Sequence, residues 1–286
     1  MSLLLSSWYH RTVKLLNGSD LASFIIERQA RAVRGLQQAH DILPKLAIVV
    51  TTDNPIIEIY MRLKKRYGAD IDVDVVLHRV VQKDVLATIE TLNQDDSVHG
   101  IIVQLPLQDI TQTDEVIAAV SPQKDVDALG KKAFFDPATP TAILWLLAGY
   151  GIDIKHKKIV LLGRGKLVGA PLEAMLEHSD CTVRSFGASD DSEAALSNAD
   201  IIITATGSPG SLTSEMIPKN CVVIDAGVAV ESGRAVGDLA DDVYARHDIK
   251  VTPKKGGVGP LTVSALFENV ILAAKNSATT DDRTRA

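Results

Sequence analysis

Two α/β domains, each built on a mainly parallel sheet, are expected of this chain from three features. Short β-branched runs alternate with helical stretches along most of its length. The alternation falls into two series, parted by a proline-punctuated segment. In the second series a strand runs into closely spaced glycines and then a helix, the arrangement of a Rossmann-like, doubly wound sheet.

In the first series, LAIVVTT (46–52) reads as a buried strand and PIIEIYMRLKKRYG (55–68) as a helix. IDVDVVL (71–77) is the next strand, VLATIETLN the next helix and GIIVQLP the third strand. The boundary is expected in VSPQKDVDALGKKAFFDPATPTA, where Pro122, Pro137 and Pro140 interrupt regular structure. A helix from Ala142 to about Gly149 leads into the second series. There KKIVLLGRG, CTVRSF, DIIITAT, CVVIDAGV and IKVTP are strands, with helices at LVGAPLEAMLEH and EAALSN. LTVSALFENVILAAK has apolar residues at helical spacing and is expected to fold back across the first domain, and the polar tail SATTDDRTRA to be disordered. The expected division is therefore 1–130 plus 263–286 for one domain and 131–262 for the dinucleotide-type domain, with the active site in a cleft between them.

Composition narrows the function. The 286 residues are 46% hydrophobic and 23% charged, as in a globular domain with a sizeable core. A net charge of -6 provides no global field for nucleic acid or an anionic membrane, so neither is expected as a partner. Cys181 and Cys221 fall in apolar, β-branched runs, where buried inert thiols are expected rather than a disulfide or metal site; this suits a reducing cytoplasm. The run Leu3 to Leu5 lacks the basic flank and cleavage pattern of a signal peptide. AILWLLAGYGI is about half the length that spans a bilayer, and reads as a buried helix.

The glycine turn IVLLGRGKLVGAPL places Gly163, Gly165 and Gly169 between strand and helix, where backbone amides and a helix N-terminus can approach a pyrophosphate. Its spacing is one residue longer than the usual fingerprint. Thr206 and Gly207 in TATGSPG, and Gly227 and Val228 in IDAGVAV, follow later strands, where small residues let ribose and nicotinamide come close. The second strand ends at SFGASDD with no acid at its tip, whereas Arg164 stands ready for a 2′-phosphate. NADP is the expected cofactor on that ground, with NAD as the alternative.

In the first series Tyr60 and Lys64 stand four apart and share a helix face. A lysine withdrawn from water can have a lowered pKa and serve in proton transfer. Short-chain dehydrogenases use the same spacing, but there it follows the glycine turn, and here it precedes it. Gln104 interrupts an apolar strand of the same sheet, which lets its amide reach Lys64. Asp125 and Asp127 follow, two apart, as candidates for holding a substrate's N–H pattern.

Taken in order, DNP with Y-x-x-x-K at 53–64, GIIVQLPL at 100–107, SPQKDVD at 121–127, PATP at 137–140, GRGKLVGAP at 163–171, ADIIITATGSPG at 199–210, VIDAGV at 223–228, GD at 237–238 and VTPKKGGVGPLT at 251–262 resemble one family. It is the bifunctional methylenetetrahydrofolate dehydrogenase/cyclohydrolase, or FolD-type, family of one-carbon metabolism. The resemblance implies NADP-dependent oxidation of 5,10-methylenetetrahydrofolate to the methenyl cation, then its hydrolysis to 10-formyltetrahydrofolate. It implies that Lys64 is central to hydrolysis, that Gln104 tunes and positions it, that Tyr60 packs on the folate and that Asp127 hydrogen-bonds the pterin. It further implies that Pro253, Gly256 and Gly257 border the folate, that no metal is needed and that the chain forms a homodimer through its cofactor domains.

The chain departs from the family pattern at several places. Thr52 stands for a glycine, Ile57 for a serine, Ala128 for the glycine of DVDG, and LGKKAFFD replaces a run containing histidine or asparagine. Gly165 and Ala188 stand where two serines could serve a 2′-phosphate, and Lys254 and Lys255 replace a more apolar pair. The alternatives are a dehydrogenase of another small acid on a similar two-domain plan, and a nucleotide- or folate-binding homologue without turnover.

Overall fold

A computed structural model describes residues 14–285 apart from His178, Ser232 and Gly233. The leucine run at 3–5 lies outside the described residues. In chain order the elements are β1 (Lys14–Leu15), α1 (Gly18–His40), β2 (Lys45–Val50), α2 (Pro55–Asp70), β3 (Asp74–Arg79), α3 (Val85–Gln94), β4 (Gly100–Val103), α4 (Thr113–Ala118) and α5 (Ala138–Gly149). They continue with β5 (Lys158–Leu162), α6 (Gly169–Glu177), β6 (Thr182–Phe186), α7 (Glu193–Leu196), β7 (Ile201–Thr204), β8 (Val222–Asp225), β9 (Ala229–Glu231), β10 (Arg234–Val236), β11 (Lys250–Val251) and α8 (Val258–Arg285).

The chain divides into two compact units, one of Ala22–Ala138 with Thr262–Ala286, the other of Met1–Leu21 with Thr139–Leu261. The boundaries differ from those expected, most of all at the start. The first described residues belong to the glycine-turn unit, because β1 pairs in parallel with β11 (Lys14 with Lys250, Leu15 with Val251). A two-residue strand has too little pattern to announce its partner in the sequence.

The lysine-bearing unit holds a parallel sheet in the order β3-β2-β4. The central strand β2 is buried along Leu46–Val50, as a parallel strand covered on both faces must be. Val85, Ile89 and Leu92 of α3 share one core cluster with Ala47, Val49, Ile101 and Val103 of the sheet. Helix α8 packs against α2: Phe267 stacks on Tyr67 at 4.9 Å, and the Tyr67 hydroxyl lies 2.7 Å from Gln29 Oε1 and 2.9 Å from Ser264 Oγ. The stretch Val258–Ala278 has the length and hydropathy of a membrane span, but more than half of it is buried inside the protein, as in a core helix. The tail expected to be disordered instead continues α8 to Arg285.

The glycine-turn unit carries a six-stranded sheet in the order β1-β11-β8-β7-β5-β6, parallel throughout. From β6 to β11 this is the doubly wound order 2-1-3-4-5, whose switch point falls between β5 and β7. Ligands bind beyond the carboxyl ends of the strands at such a point, because the connections there lead to opposite faces and leave a crevice. The antiparallel pair β9–β10 stands outside the expected alternation of strands and helices. Pro140, expected to interrupt structure, sits in the first turn of α5, where the missing N–H is no loss.

Candidate active site and dinucleotide site

Lys64 projects from the third turn of α2, one turn beyond Tyr60 on the same face. Strand β4 ends at Val103, and the next residue, Gln104, keeps its backbone in register by donating its N–H to Val49 O at 2.9 Å. Its side-chain amide is fully directed: Nε2 donates to Leu105 O at 3.0 Å, which turns Oε1 to accept from Lys64 Nζ at 2.9 Å. The polar side chain in the apolar run is thereby satisfied at both ends. Leu105–Pro106 is a cis peptide.

Burial lowers the Lys64 pKa below the ordinary lysine value, and the nearby Asp127 carboxylate opposes that shift. Burial likewise raises the Asp127 pKa, against the pull of Lys64. Desolvation, not Gln104, is thus what favours the neutral amine. An amide oxygen that accepts from the ammonium stabilises the charged form, so Gln104 fixes Lys64 in place while partly resisting its neutralisation.

The structure separates the two aspartates expected to work together. Asp127 lies within electrostatic reach of Lys64, whereas Asp125 is buried and braces the turn, accepting from Gly130 N at 2.7 Å and Leu129 N at 3.4 Å. Ala128 holds φ of 55°, the left-handed region that the family's glycine occupies without strain. Ile57 is buried in the core, and the hydroxyl of Thr52 is buried with no hydrogen-bond partner among the described residues.

In the other unit, the glycine turn is required by close approach. Gly163 has φ of 103°, and a Cβ there would lie 2.4 Å from Ala205 O, across the switch point. A Cβ at Gly169, the first residue of α6, would lie 2.0 Å from Gly163 O, while one at Gly165 would meet nothing within 4 Å. Two glycines close the turn and the third leaves open space at the helix N-terminus, a cradle that fits a dinucleotide pyrophosphate.

Thr206 and Gly207 follow β7, and Gly227 and Val228 follow β8. Two acids outside the expected site residues, Asp225 and Asp238, hold these loops. Asp238, fully buried, accepts from Thr204 Oγ1 at 2.6 Å, Thr206 N at 2.7 Å and Ser208 N at 2.9 Å. Asp225 accepts from Gly227 N, Asp238 N and Leu239 N. The loop after β8 has no room for a side chain at its glycine: a Cβ on Gly227 would overlap the Asp238 carboxylate at 2.1 Å. The GD pair at 237–238 was the available signal, but nothing local shows that its acid turns inward.

Arg164 donates from Nε to Ser185 Oγ at 3.0 Å, from Nη2 to Ser185 O at 2.5 Å and from Nη1 to Asp190 Oδ2 at 2.9 Å. The expectation that the tip of β6 carries no acid is corrected here. The chain turns after Phe186, with Asp190 N donating to Gly187 O and Gly187 N to Asp190 Oδ2 at 2.8 Å, and so returns a carboxylate to the strand end.

Pro253, Gly256 and Gly257, assigned to the folate by resemblance, lie in the glycine-turn unit. There Gly256 O accepts from Ser19 N at 3.0 Å, with Gly256 at φ of 80°, and a Cβ on Gly18 would collide with Gly257 O. Both cysteines are free; burial raises Cys181 and pushes Cys221 up to about 12, which leaves inert thiols. No cluster of metal-ligating side chains occurs among the described residues.

Comparison with known proteins agrees with this geometry. Residues 16–127 match the catalytic domain of tetrahydrofolate dehydrogenase/cyclohydrolase, and residues 137–278 match its NAD(P)-binding domain. The bifunctional protein FolD of Campylobacter concisus is 34% identical over 92% of this chain and 98% of its own. The crystal structure of the bifunctional FolD enzyme of Campylobacter jejuni superposes with a TM-score of 0.86 at 33% identity, covering 93% of this chain and 99% of that one. A Trypanosoma brucei FolD enzyme, solved with NADP and an inhibitor, gives a TM-score of 0.86 at 29% identity, over 92% and 97%. With a site lysine held by a strand-end glutamine in one unit and a nucleotide cradle in the other, this chain belongs to the tetrahydrofolate dehydrogenase/cyclohydrolase family.

Proposed function

We propose that the chain oxidises 5,10-methylenetetrahydrofolate to the methenyl cation and hydrolyses that cation to 10-formyltetrahydrofolate. The observation that carries this reading is the 2.9 Å contact between Lys64 and Gln104 beside Asp127, in a unit that belongs to the family's catalytic domain.

The dinucleotide, when bound, accepts the hydride released by the methylene carbon. NADP is the proposed partner, supported by Arg164 at the strand tip and by the cofactor of the Trypanosoma brucei relative. Gly163 and Gly169 keep the turn tight enough for backbone amides to meet the pyrophosphate, while Thr206, Gly207, Gly227 and Val228 line its further course.

Lys64 is proposed to serve the hydrolytic step. A fully charged ammonium repels the methenyl cation, and burial reduces that repulsion by favouring the amine. As water adds to the cation's carbon, the amine takes one of the water's protons; the carbon–nitrogen bond to the pterin ring nitrogen then breaks as the ammonium returns that proton to the nitrogen, and the remaining hydroxyl proton leaves to solvent as the formyl C=O bond forms. Gln104 holds Nζ in place through this exchange. Asp127 is proposed to accept from the pterin N–H groups, and Tyr60, one turn from Lys64, to pack on the folate ring. Homodimer formation and a cytoplasmic location complete the proposal, the latter supported by two unpaired cysteines.

The test is an assay of purified protein with 5,10-methylenetetrahydrofolate and either NADP or NAD, following reduced cofactor and methenyl product separately. Cofactor reduction with little methenyl accumulation is expected. Absence of reduction with either dinucleotide would refute the oxidative half of the proposal. Sedimentation of the same preparation checks the dimer.

A further inference from the structure

The tip of β6 holds more than the arginine expected there. An open pocket of about 470 Å³ is lined by Arg164, Glu173, Arg184, Ser185, Phe186 and Asp190. Its charged side chains are two cations and two anions, so it presents no net positive charge to a phosphate. Glu173 Oε1 accepts from Ser185 Oγ at 2.6 Å, and Ser185 Oγ in turn accepts from Arg164 Nε, which anchors the guanidinium from the strand side. The Arg184 guanidinium lies 5.3 Å from the centroid of the Phe186 ring.

Asp190 Oδ2 takes both the Gly187 N–H and one Arg164 N–H, while its Oδ1 has no partner among the described residues. The pair is half exposed, with 53% of the Arg164 side chain and 37% of the Asp190 side chain accessible, so an arriving ligand can reach both. A doubly wound sheet brings the adenosine ribose to the end of its second strand. There a carboxylate accepts from a free 2′-hydroxyl and repels a 2′-phosphate, whereas an arginine does the reverse. This chain has both groups, already joined to each other.

We propose that Asp190 sets the dinucleotide preference of this chain, competing with a 2′-phosphate for Arg164 and offering Oδ1 to a free ribose hydroxyl. The inference deepens the proposed function and rests on its nucleotide site. Its consequence is relaxed selectivity: NADP binds by displacing Asp190 from Arg164, and NAD binds with the pair intact. The two serines missing at Gly165 and Ala188 push in the same direction, since neither supplies a hydroxyl to a phosphate.

The test compares the full-length protein with Asp190→Asn, which removes the charge but keeps an acceptor for Gly187, and with Asp190→Ala, which removes both. Dissociation constants are measured calorimetrically for 2′,5′-ADP and for 5′-AMP, alongside KM for NADP and NAD in the oxidation. Both variants are expected to bind 2′,5′-ADP about tenfold more tightly, as loss of a like charge beside a phosphate predicts, and Asp190→Ala to bind 5′-AMP more weakly. KM should fall for NADP and rise for NAD. An unchanged ratio of the two affinities in both variants, or a ratio that moves toward 5′-AMP, overturns the role given to Asp190. If wild type and variants alike bind neither nucleotide, the nucleotide site itself is refuted, and the inference with it.

Discussion

Replacing Gln104 by leucine removes the one acceptor of Lys64 Nζ among the described residues while keeping the approximate volume of the side chain. A hydrogen bond to a charged group contributes about 1.5–3 kcal/mol. Because this one is only part-buried, the lower end applies, about 1.5 kcal/mol, which corresponds to roughly a tenfold change in an equilibrium constant. The bond favours the ammonium, so its loss moves the Lys64 pKa further down. Gln104→Glu keeps an oxygen at the same reach and adds a negative charge, which moves the pKa up. The assay is the pH dependence of methenyl hydrolysis, read from the decay of the methenyl chromophore, with Lys64→Met as the background. The rising limb of the profile, where the amine form appears, should shift to lower pH in Gln104→Leu and to higher pH in Gln104→Glu. Shifts in the same direction, or none in either variant, would refute the argument that Gln104 stabilises the charged lysine.

Three further outcomes follow from particular contacts. Lys64 binds its proton less tightly folded than unfolded, so unfolding takes up a proton between its lowered pKa and 10.5, and stability rises with pH across that window. The cost of burying the ammonium is fully present below the window; urea titrations should therefore show wild type gaining on Lys64→Met as pH rises toward 10.5. Gly163→Ala combines a φ of 103° with a Cβ 2.4 Å from Ala205 O, and should raise KM for the dinucleotide at least about tenfold while methenyl hydrolysis survives. Asp238→Ala strips the acceptor from three donors and should cost about 3 kcal/mol of stability, measured by chemical denaturation, with loss of nucleotide binding before global unfolding.

What the sequence made legible was what repeats or what is locally forced. The buried run of β2 and the strand–glycine–helix turn at Gly163 both encode their structure within a dozen residues, through burial on both faces of a strand and through close approach of two backbones. The partnership of Gln104 with Lys64 was legible because an amide inside an apolar run demands a partner. Asp190 was misread because its return to the strand end depends on a turn over Gly187, not on its distance from the strand in sequence. Asp225 and Asp238 escaped notice for a related reason: each is an acid whose donors come from loops up to 34 residues away. Helix α1, Gly18–His40, has no counterpart among the elements expected from the sequence. The separation of Asp125 from Asp127 lay beyond the spacing argument, which places both on one face only if the segment stays extended, and here it turns.

The pairing of β1 with β11 bears on how the protein is made. Lys14 leaves the ribosome 236 residues (250 − 14) before its partner Lys250. The other unit waits as long, since Tyr67 finds Phe267 and Ser264 only when α8 emerges. Domains that are contiguous in sequence can fold one after another during synthesis; here both units are closed by segments from Lys250 onward. Until α8 emerges, the nascent chain therefore carries one sheet only lately completed by β11 and another without its packing helix, with apolar strands such as Leu46–Val50 and Ile201–Ile203 in need of shelter. A chain stalled before α8 is expected to be a chaperone client and a target for proteolysis, with the emergence of α8 as the step that lets both units reach their native state.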